Sequence, residues 1–122
     1  MTTATMQSIA QRDTELNDMI LQGDAMEAFE KFYAEDVVMQ DQGMGPWEGK
    51  DENREREKAF FDNVTELRRF ELVDAAVGDD VTYSTWDLDF THEEWGDVQY
   101  KQVAVRHWND EGLIEKERFY RG

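Results

Sequence analysis

The stretch GDAMEAFEKFYAEDVVMQDQGMGPWEG, residues 23–49, is the most informative part of this chain. It indicates a short helix after an acidic cap at Asp24, a bend at residues 34–36, and a strand over residues 37–40. The strand ends at Asp41, and a loop containing Gly, Pro and Trp follows. Because burial raises the pKa of a carboxylate, an aspartate that enters a pocket from a strand end is placed to accept protons. Capping of the turn that follows is the competing interpretation of Asp41.

The length and composition indicate a single globular domain. The chain has 122 residues, which we interpret as one domain over residues 1–122 with room for a hydrophobic core. It contains no cysteine, which excludes disulfides, thiol nucleophiles and thiolate metal sites. No stretch has the hydropathy of a membrane helix or the pattern of a signal peptide, so we expect a soluble, cytoplasmic protein.

The chain is strongly acidic along its whole length. It has 29 acidic and 13 basic residues, which give a formal net charge of −16. Nucleic acid and membrane surfaces are therefore not expected as partners, since both are bound by clustered Lys and Arg. Such a composition occurs in proteins that work at high salt, where ions screen the self-repulsion, and equally in ordinary acidic proteins.

The spacing of apolar residues predicts helices first and strands afterwards. Helices are expected over residues 5–22, which Gly23 ends, from residue 24 onward, and over residues 51–63. Strands are expected over residues 67–77, 81–92, 98–108 and 113–120, besides the strand before Asp41. This order indicates an α+β domain with its N-terminal helices packed on one face of a curved, mostly antiparallel sheet.

Three segments resemble the nuclear transport factor 2-like superfamily, and within it the SnoaL-like and ketosteroid-isomerase-like branch. The first is Gly23-Asp24 between two helices, with AEDVV at residues 34–38 entering the strand that ends at Asp41. The second is GPWEG at residues 45–49, and the third is the WNDEGLI hairpin that starts at Trp108, with RFY after it. The resemblance implies a cystatin-like cone whose sheet wraps a pocket plugged by helices, and it implies a homodimer.

The resemblance also implies roles for individual positions. In the ketosteroid-isomerase-like branch, the residue that Asp41 matches is the general base that moves a proton next to a carbonyl group. The tyrosine and the aspartic acid that hold the enolate oxygen in that branch fall here on Leu16 and Ala104. Neither side chain donates a hydrogen bond to a developing oxyanion, so the steroid isomerase reaction itself is not expected.

The last hairpin predicts which residues face the pocket. If it is symmetric about residues 109–112, the facing pairs are Trp108 and Leu113, Arg106 and Glu115, Ala104 and Glu117, and Gln102 and Phe119. By the geometry of the family, this face lines the pocket. The opposite face suits a dimer interface and carries Val103, Val105, His107, Ile114, Lys116, Arg118 and Tyr120. A slip of one residue would exchange the two faces.

The predicted site places charged groups among aromatic side chains. We expect Asp41, Arg106 and Glu117 to carry the chemistry, the cation holding a substrate carboxylate, enolate or phenolate while a carboxylate accepts a proton. The expected ligand-binding residues are Trp47, Phe60, Ser84, Trp86, Leu88, Trp108, Glu115 and Phe119. A purely structural ion pair between Arg106 and Glu115 is the alternative.

No metal and no cofactor are expected. His92, which we place at the solvated end of a strand, and His107 lack the spacing of metal ligands, and Ser84 has no adjacent base for nucleophilic catalysis. Three functions remain open. The leading one is a cofactor-free proton-transfer enzyme of the isomerase, cyclase or dehydratase type, acting on a small apolar carbonyl or ring compound. The others are a non-catalytic protein that binds such a compound and a dimeric interaction module.

Overall fold

The computed structural model describes the backbone of residues 3–121 and the side chains of residues 9–121. Within these residues the helices are α1 (Thr3–Leu21), α2 (Ala25–Phe32) and α3 (Lys50–Asp62). The strands are β1 (Tyr33–Asp41), β2 (Met44–Glu48), β3 (Val64–Val77), β4 (Val81–His92), β5 (Gly96–Trp108) and β6 (Ile114–Arg121). They form one sheet in the order β2-β1-β6-β5-β4-β3. The β1–β6 pair is parallel and the other pairs are antiparallel, so the predicted α+β fold with a curved, mostly antiparallel sheet is confirmed.

The connection between α1 and α2 follows from Gly23. This residue has a φ of 90°, in the left-handed region that glycine adopts at little cost. The N–H groups of Gly23 and Asp24 then donate to the carbonyls of Ile20 at 3.1 Å and Met19 at 2.8 Å, which satisfies the last turn of α1. The chain turns directly into α2, whose buried residues are Ala28, Phe29 and Phe32.

The start of the sheet differs from the prediction in two places. Residues 34–36 belong to the continuous strand β1, whose pairing with β6 is irregular between Tyr33 and Val38 and leaves Glu35 and Asp36 both exposed. Residues 44–48, predicted as a loop, form the edge strand β2, in which Trp47 pairs with Met39. An exposed edge strand needs no alternation of apolar residues and tolerates a proline, so its sequence does not have the usual strand signal.

The hydrophobic core has two parts. One lies between the first two helices and the sheet and contains Ile9, Leu16, Ala28, Phe29, Phe32, Tyr33, Val37, Met39, Trp108 and Ile114. The other lies on the inner face of β4 and β5 and contains Trp86, Leu88, Phe90 and Ala104. Ile20 and Phe119 pack against both parts. The candidate site lies where these two residues connect the two parts of the core.

The register of the β5–β6 hairpin is different from the predicted one. Trp108 pairs with Ile114 and His107 with Lys116, so one residue of β6, Glu115, is left out of the pairing as a bulge. Beyond the bulge Arg106 pairs with Glu117. The predicted facing of Arg106 with Glu115, and that of Trp108 with Leu113, are therefore wrong.

The same bulge shifts the remaining pairs of the hairpin. Ala104 pairs with Phe119 and Gln102 with Arg121, in place of the predicted pairs with Glu117 and Phe119. Ile114, predicted on the outer face, is fully buried in the core. The predictions were wrong because symmetric pairing allows no extra residue, and a single bulge shifts every pair after it.

Candidate functional site

A cavity of about 340 Å³ lies between the three helices and the inner face of the sheet. Its volume is within the range of small-molecule sites. Apolar and aromatic side chains form most of its wall, among them Leu16, Phe29, Phe60, Phe70, Trp86, Leu88, Tyr100 and Phe119. The charged side chains of the wall are Asp41, Arg56, Glu57, Glu94, Arg106, Glu117 and Arg121. The cavity is therefore a mostly apolar enclosure with several charges gathered in it.

The structure brings most of the predicted site residues together. All three of the residues expected to carry the chemistry, Asp41, Arg106 and Glu117, line the cavity. The expected ligand-binding residues that line it are Phe60, Trp86, Leu88 and Phe119. Leu16 and Ala104, at the positions of the oxyanion-holding residues of the isomerase branch, also line it and present only apolar surface.

Four predicted ligand-binding residues lie outside the cavity wall, each for a local reason. Trp47 lies on β2 and stacks with the guanidinium of Arg56, 4.2 Å from ring centroid to Cζ. Ser84 is buried in the sheet, where its hydroxyl accepts a hydrogen bond from the Trp86 indole at 2.9 Å. Trp108 is a core residue whose indole donates to Thr82 at 2.9 Å. Glu115 is exposed because it is the residue of the bulge.

Arg106 is the centre of a buried polar network that joins α1 to the sheet. Its Nε donates to Oε2 of Glu117 at 3.0 Å, and its Nη1 donates to Oδ1 of Asp13 at 2.8 Å and to Oδ1 of Asn17 at 2.7 Å. Tyr33 donates its hydroxyl hydrogen to Oε1 of Glu117 at 2.6 Å. Arg106, Asp13 and Glu117 are each at most 3% exposed. One buried cation is thus paired with two buried carboxylates.

The pKa values of this network keep its donors protonated. Burial raises the pKa of Tyr33 well above its ordinary value, and the charge of Glu117 adds to the rise while Arg106 opposes it. Burial alone would lower the pKa of Arg106, but Tyr33, Glu117 and Asp13 outweigh burial and raise that pKa. Tyr33 therefore remains a hydrogen-bond donor, and Arg106 remains a cation, over the pH range in which proteins work.

Asp41 lies at the rim of the cavity in an ion pair with Arg121. Its Oδ1 also accepts the N–H of Gln42 at 2.7 Å. The guanidinium of Arg121 lies over the Tyr100 ring, with Cζ 4.9 Å from the centroid. Asp41 therefore combines two roles that the sequence left as alternatives, since it bonds to the turn after β1 and also lines the cavity.

Glu57 on α3 is a cavity carboxylate that the sequence analysis missed. Its side chain is 19% exposed, and its Oε1 accepts a hydrogen bond of 3.2 Å from Nη2 of Arg56. Burial raises the pKa of Glu57 to about 7, against the opposing charge of Arg56 and with further increases from Glu117 and Asp41. A carboxyl group with this pKa takes up and releases protons at neutral pH, as a general acid or base must.

Of the residues that the sequence analysis missed, only one had a recognisable signal in the sequence. Glu57 precedes Phe60 by three positions and Phe61 by four, so it shares the helix face that carries the two apolar side chains. This spacing could have identified it. Asp13, Asn17 and Tyr33 gave no such signal, because their partners are on strands far along the chain.

Two aromatic side chains and a histidine form a cluster in the wall of the cavity. The rings of His92 and Trp95 stack with centroids 3.8 Å apart, and Phe60 lies 6.0 Å from His92. His92 is 3% exposed, and its Nδ1 accepts the N–H of Glu94 at 3.2 Å. The expectation of a solvated His92 is therefore wrong, because Trp95 of the following turn covers the ring.

The described part of the chain has neither a metal-binding cluster nor a membrane-spanning helix. No group of three or more His, Asp or Glu side chains within it is arranged to hold a metal ion. No helix within residues 3–121 has the length and apolar character needed to cross a membrane.

Comparison with known proteins identifies a family and a fold. The family model for the SnoaL-like domain matches residues 14–116. A structure from Mesorhizobium loti, of a protein named for its likeness to SnoaL-like polyketide cyclases, superposes with a TM-score of 0.83 at 26% identity. The match covers 92% of this chain and 97% of the other. No curated protein matches the chain.

Two further structures share the fold at low sequence identity. A nuclear transport factor 2-like protein of unknown function from Burkholderia pseudomallei has a TM-score of 0.77 at 15% identity, over 94% of this chain and 91% of the other. A protein of unknown function with a cystatin-like fold from Xanthomonas campestris has a TM-score of 0.79 at 13% identity, over 93% and 90%. At this identity the likeness concerns the fold alone.

Replacing Glu57 with Gln should change how the stability of the fold depends on pH. Folding raises the pKa of Glu57 to about 7, so the folded chain binds this proton more tightly than the unfolded chain. Wild-type stability should therefore fall as pH rises from about 4.5 to about 7, by about 2–3 kcal/mol. The free energy of unfolding, measured with urea across this pH range, should not show that decrease in Glu57→Gln. Glu55→Gln, an exposed neighbour, is the control, and parallel curves for wild type and Glu57→Gln would contradict the expectation.

Replacing Arg106 with Leu should destabilise the fold severely. The change leaves Asp13 and Glu117 buried without a cation, a loss that costs about 3–5 kcal/mol. Arg68→Leu is the matched control, because Arg68 also has carboxylate partners, Glu66 and Asp89, but at the surface. Denaturant unfolding measures both variants. A similar loss in the two would show that the Arg106 network is not a special constraint.

Proposed function

The chain belongs to the SnoaL-like domain family, and from this premise we propose that it is a cofactor-free proton-transfer enzyme of the isomerase, cyclase or dehydratase type. Its substrate is a small apolar carbonyl or ring compound that binds in the 340 Å³ cavity. Glu57 moves the proton. Arg106 and its partners form the polar end of the cavity, toward which the substrate oxygen points.

The observation that carries the proposal is the convergence of Glu57, Glu117 and Asp41 on one aromatic cavity. Like charges and burial separate the proton affinities of neighbouring carboxyl groups, which lets one be an acid or base while the others stay charged. Glu57 is the group with the pKa of about 7, and the charges of Glu117 and Asp41 contribute to that value. Glu57 is therefore the carboxyl group to which we assign the transferred proton.

The reaction step is a transfer between carbon and carboxylate. Ionised Glu57 removes a proton from the carbon next to a carbonyl group, and the electron pair of the C–H bond moves onto the carbonyl oxygen. Arg106 uses Nε and Nη1 for its partners in the network, and Nη2 takes part in none of those bonds. Nη2 can stabilise the developing oxyanion in place of the donors that Leu16 and Ala104 lack. Return of the proton to another atom completes an isomerisation.

A second candidate is a protein that binds the same class of compound without turning it over. The observation that favours it is the engagement of Arg106 with Glu117, Asp13 and Asn17. A cation with three partners can serve the fold alone, as buried ion pairs often do. In that function the cavity and its aromatic wall hold a ligand, and Glu57 only responds to its arrival.

Hydrogen–deuterium exchange of a simple ketone tests the enzymatic proposal without knowledge of the natural substrate. The probe is 2-tetralone, a bicyclic ketone with exchangeable C–H bonds beside the carbonyl group, in deuterated buffer monitored by proton NMR. Wild type should accelerate exchange, and Glu57→Gln should lose about 100-fold or more of that acceleration, the contribution of a positioned base. Asp41→Asn should keep most of it. No acceleration by wild type would favour the binding function.

The comparison of the two variants separates the candidate bases. Loss of exchange in Asp41→Asn with full exchange in Glu57→Gln would transfer the role of base to Asp41, the residue that the resemblance implies. Glu55→Gln on the exposed side of α3 controls for the change of charge. Circular dichroism of each variant shows whether the fold is intact.

We also propose a homodimer that forms through the outer face of the sheet. Tyr83 pairs with Val105 and Val103 with Tyr120, so four apolar side chains lie next to one another on β4, β5 and β6. Both tyrosines are more than 40% exposed. An apolar face of this kind is suited to a self-complementary interface.

Sedimentation of wild type and Val105→Glu tests the dimer. Wild type should sediment with twice the monomer mass, and the buried carboxylate of the variant should dissociate it because charge is costly to bury at an interface. Val73→Glu is the control, since Val73 is 58% exposed on the edge strand β3, outside the proposed interface. A monomeric wild type would contradict the proposal.

A further inference from the structure

Arg56 is a cation of the cavity wall that its neighbours hold only loosely. Its Nη2 is 3.5 Å from Sδ of Met39, 3.5 Å from Oδ1 of Asn53 and 3.2 Å from Oε1 of Glu57. The two distances to oxygen are at or beyond the long end of good hydrogen bonds, and those between charged groups are normally shorter. The contact with Met39 is weak because a thioether sulfur is a weak acceptor. Within residues 9–121, its Nε is buried and has no hydrogen-bond partner at all.

The other arginines of the cavity are held firmly. Arg106 makes three hydrogen bonds of 3.0 Å or less. Arg121 is in an ion pair with Asp41 at the rim. Of these three arginines, only Arg56 has a buried guanidinium nitrogen without a hydrogen-bond partner among the described residues. Reorienting the guanidinium of Arg56 breaks only weak contacts. The stacking on Trp47 keeps the side chain at this position in the wall.

We propose that Arg56 is the anion-binding group of the cavity, and that it takes the carboxylate of a planar aromatic ligand in exchange for Glu57. The inference rests on the proposed function, since it places the ligand in the same cavity and specifies its class. The guanidinium of arginine presents two parallel donors that match a carboxylate, a geometry that the single 3.2 Å contact with Glu57 does not use.

The wall around Arg56 specifies the rest of the ligand. Phe60 and Phe61 lie on the same helix, and Trp86 and Phe119 line the sheet side of the cavity. Aromatic rings favour flat ring systems, which stack or meet their edges. The net charge of −16 repels anions at a distance, but physiological salt screens this repulsion beyond about 8 Å. A contact inside the cavity is therefore decided by its immediate neighbours.

The exchange couples ligand binding to proton uptake. The positive charge of Arg56 opposes the increase in the pKa of Glu57, so an anion that occupies Arg56 raises the pKa further above about 7. At neutral pH, Glu57 then gains a proton and is in its acid form while an anion is bound, whereas the ionised form that removes a proton belongs to the complex with a neutral carbonyl compound. The titratable groups of other elements that interact with Glu57 are Tyr33, Asp41, Tyr100 and Glu117. The negative charges of Asp41 and Glu117 also raise the pKa of Glu57.

Calorimetric titration with two matched probes tests the inference. The probes are 2-naphthoate and its neutral analogue 2-naphthalenemethanol, at physiological salt and neutral pH. Wild type should bind the carboxylate at least about tenfold more tightly than the alcohol, and Arg56→Gln should lose that preference. Arg118→Gln is the control, because Arg118 also has a buried Nε without a partner among the described residues but lies outside this cavity. It should keep the preference.

Titration of 2-naphthoate in buffers of different ionisation enthalpy measures the coupled proton and needs no variant of Arg56. Wild type should take up protons on binding, and Glu57→Gln should not. Binding without uptake would overturn the exchange, and an equal effect of Arg56→Gln and Arg118→Gln would overturn the role of Arg56. Binding of the alcohol with no preference for the carboxylate would overturn the inference and leave the proposed pocket intact. Binding of neither probe also overturns it, and the ketone exchange then decides the proposed function separately.

Discussion

One buried guanidinium joins helix α1 of this protein to its sheet. Arg106 on β5 donates to Asp13 and Asn17 on α1 and to Glu117 on β6, and all four side chains are at most 3% exposed. Removing such charges from water is costly, and only a complete set of partners offsets the cost. A shift of α1 by one turn would leave a charge unpaired, so the network favours a single placement of the helix over the sheet. The volume of the cavity depends on this placement.

The network also determines the electrostatics of the cavity. Its two carboxylates exceed its one cation, and Glu117 contributes to the pKa of about 7 that burial gives to Glu57. Tyr33 and Arg106 remain protonated because burial and neighbouring charges favour those forms. The charges of the network therefore act on one carboxyl group whose pKa is about 7. A carboxyl group with this pKa is what the proposed proton transfer requires.

Local patterns predicted the fold, and long-range contacts limited the prediction of the site. The alternation in residues 81–92 gives β4 with its observed ends, and Gly23 ends α1 because its backbone conformation favours glycine. The bulge at Glu115 has no comparable signal, and it moved the partner of Arg106 to Glu117. Glu57 was missed although its helix face carries Phe60, since a charged residue on a charged helix resembles solvated surface. A buried glutamate becomes recognisable only when the opposite wall is known.

The most direct test of this account is an NMR titration of the side-chain carboxyl carbon of Glu57, assigned by comparison with Glu57→Gln. We expect a midpoint at a pH of about 7, because the group is buried in the cavity beside Glu117 and Asp41. We also expect a lower midpoint when Glu117 is replaced by Gln, since one neighbouring negative charge is then removed. A midpoint near the ordinary value of glutamate, about 4.3, would contradict the central claim that this cavity holds a proton-transferring carboxyl group.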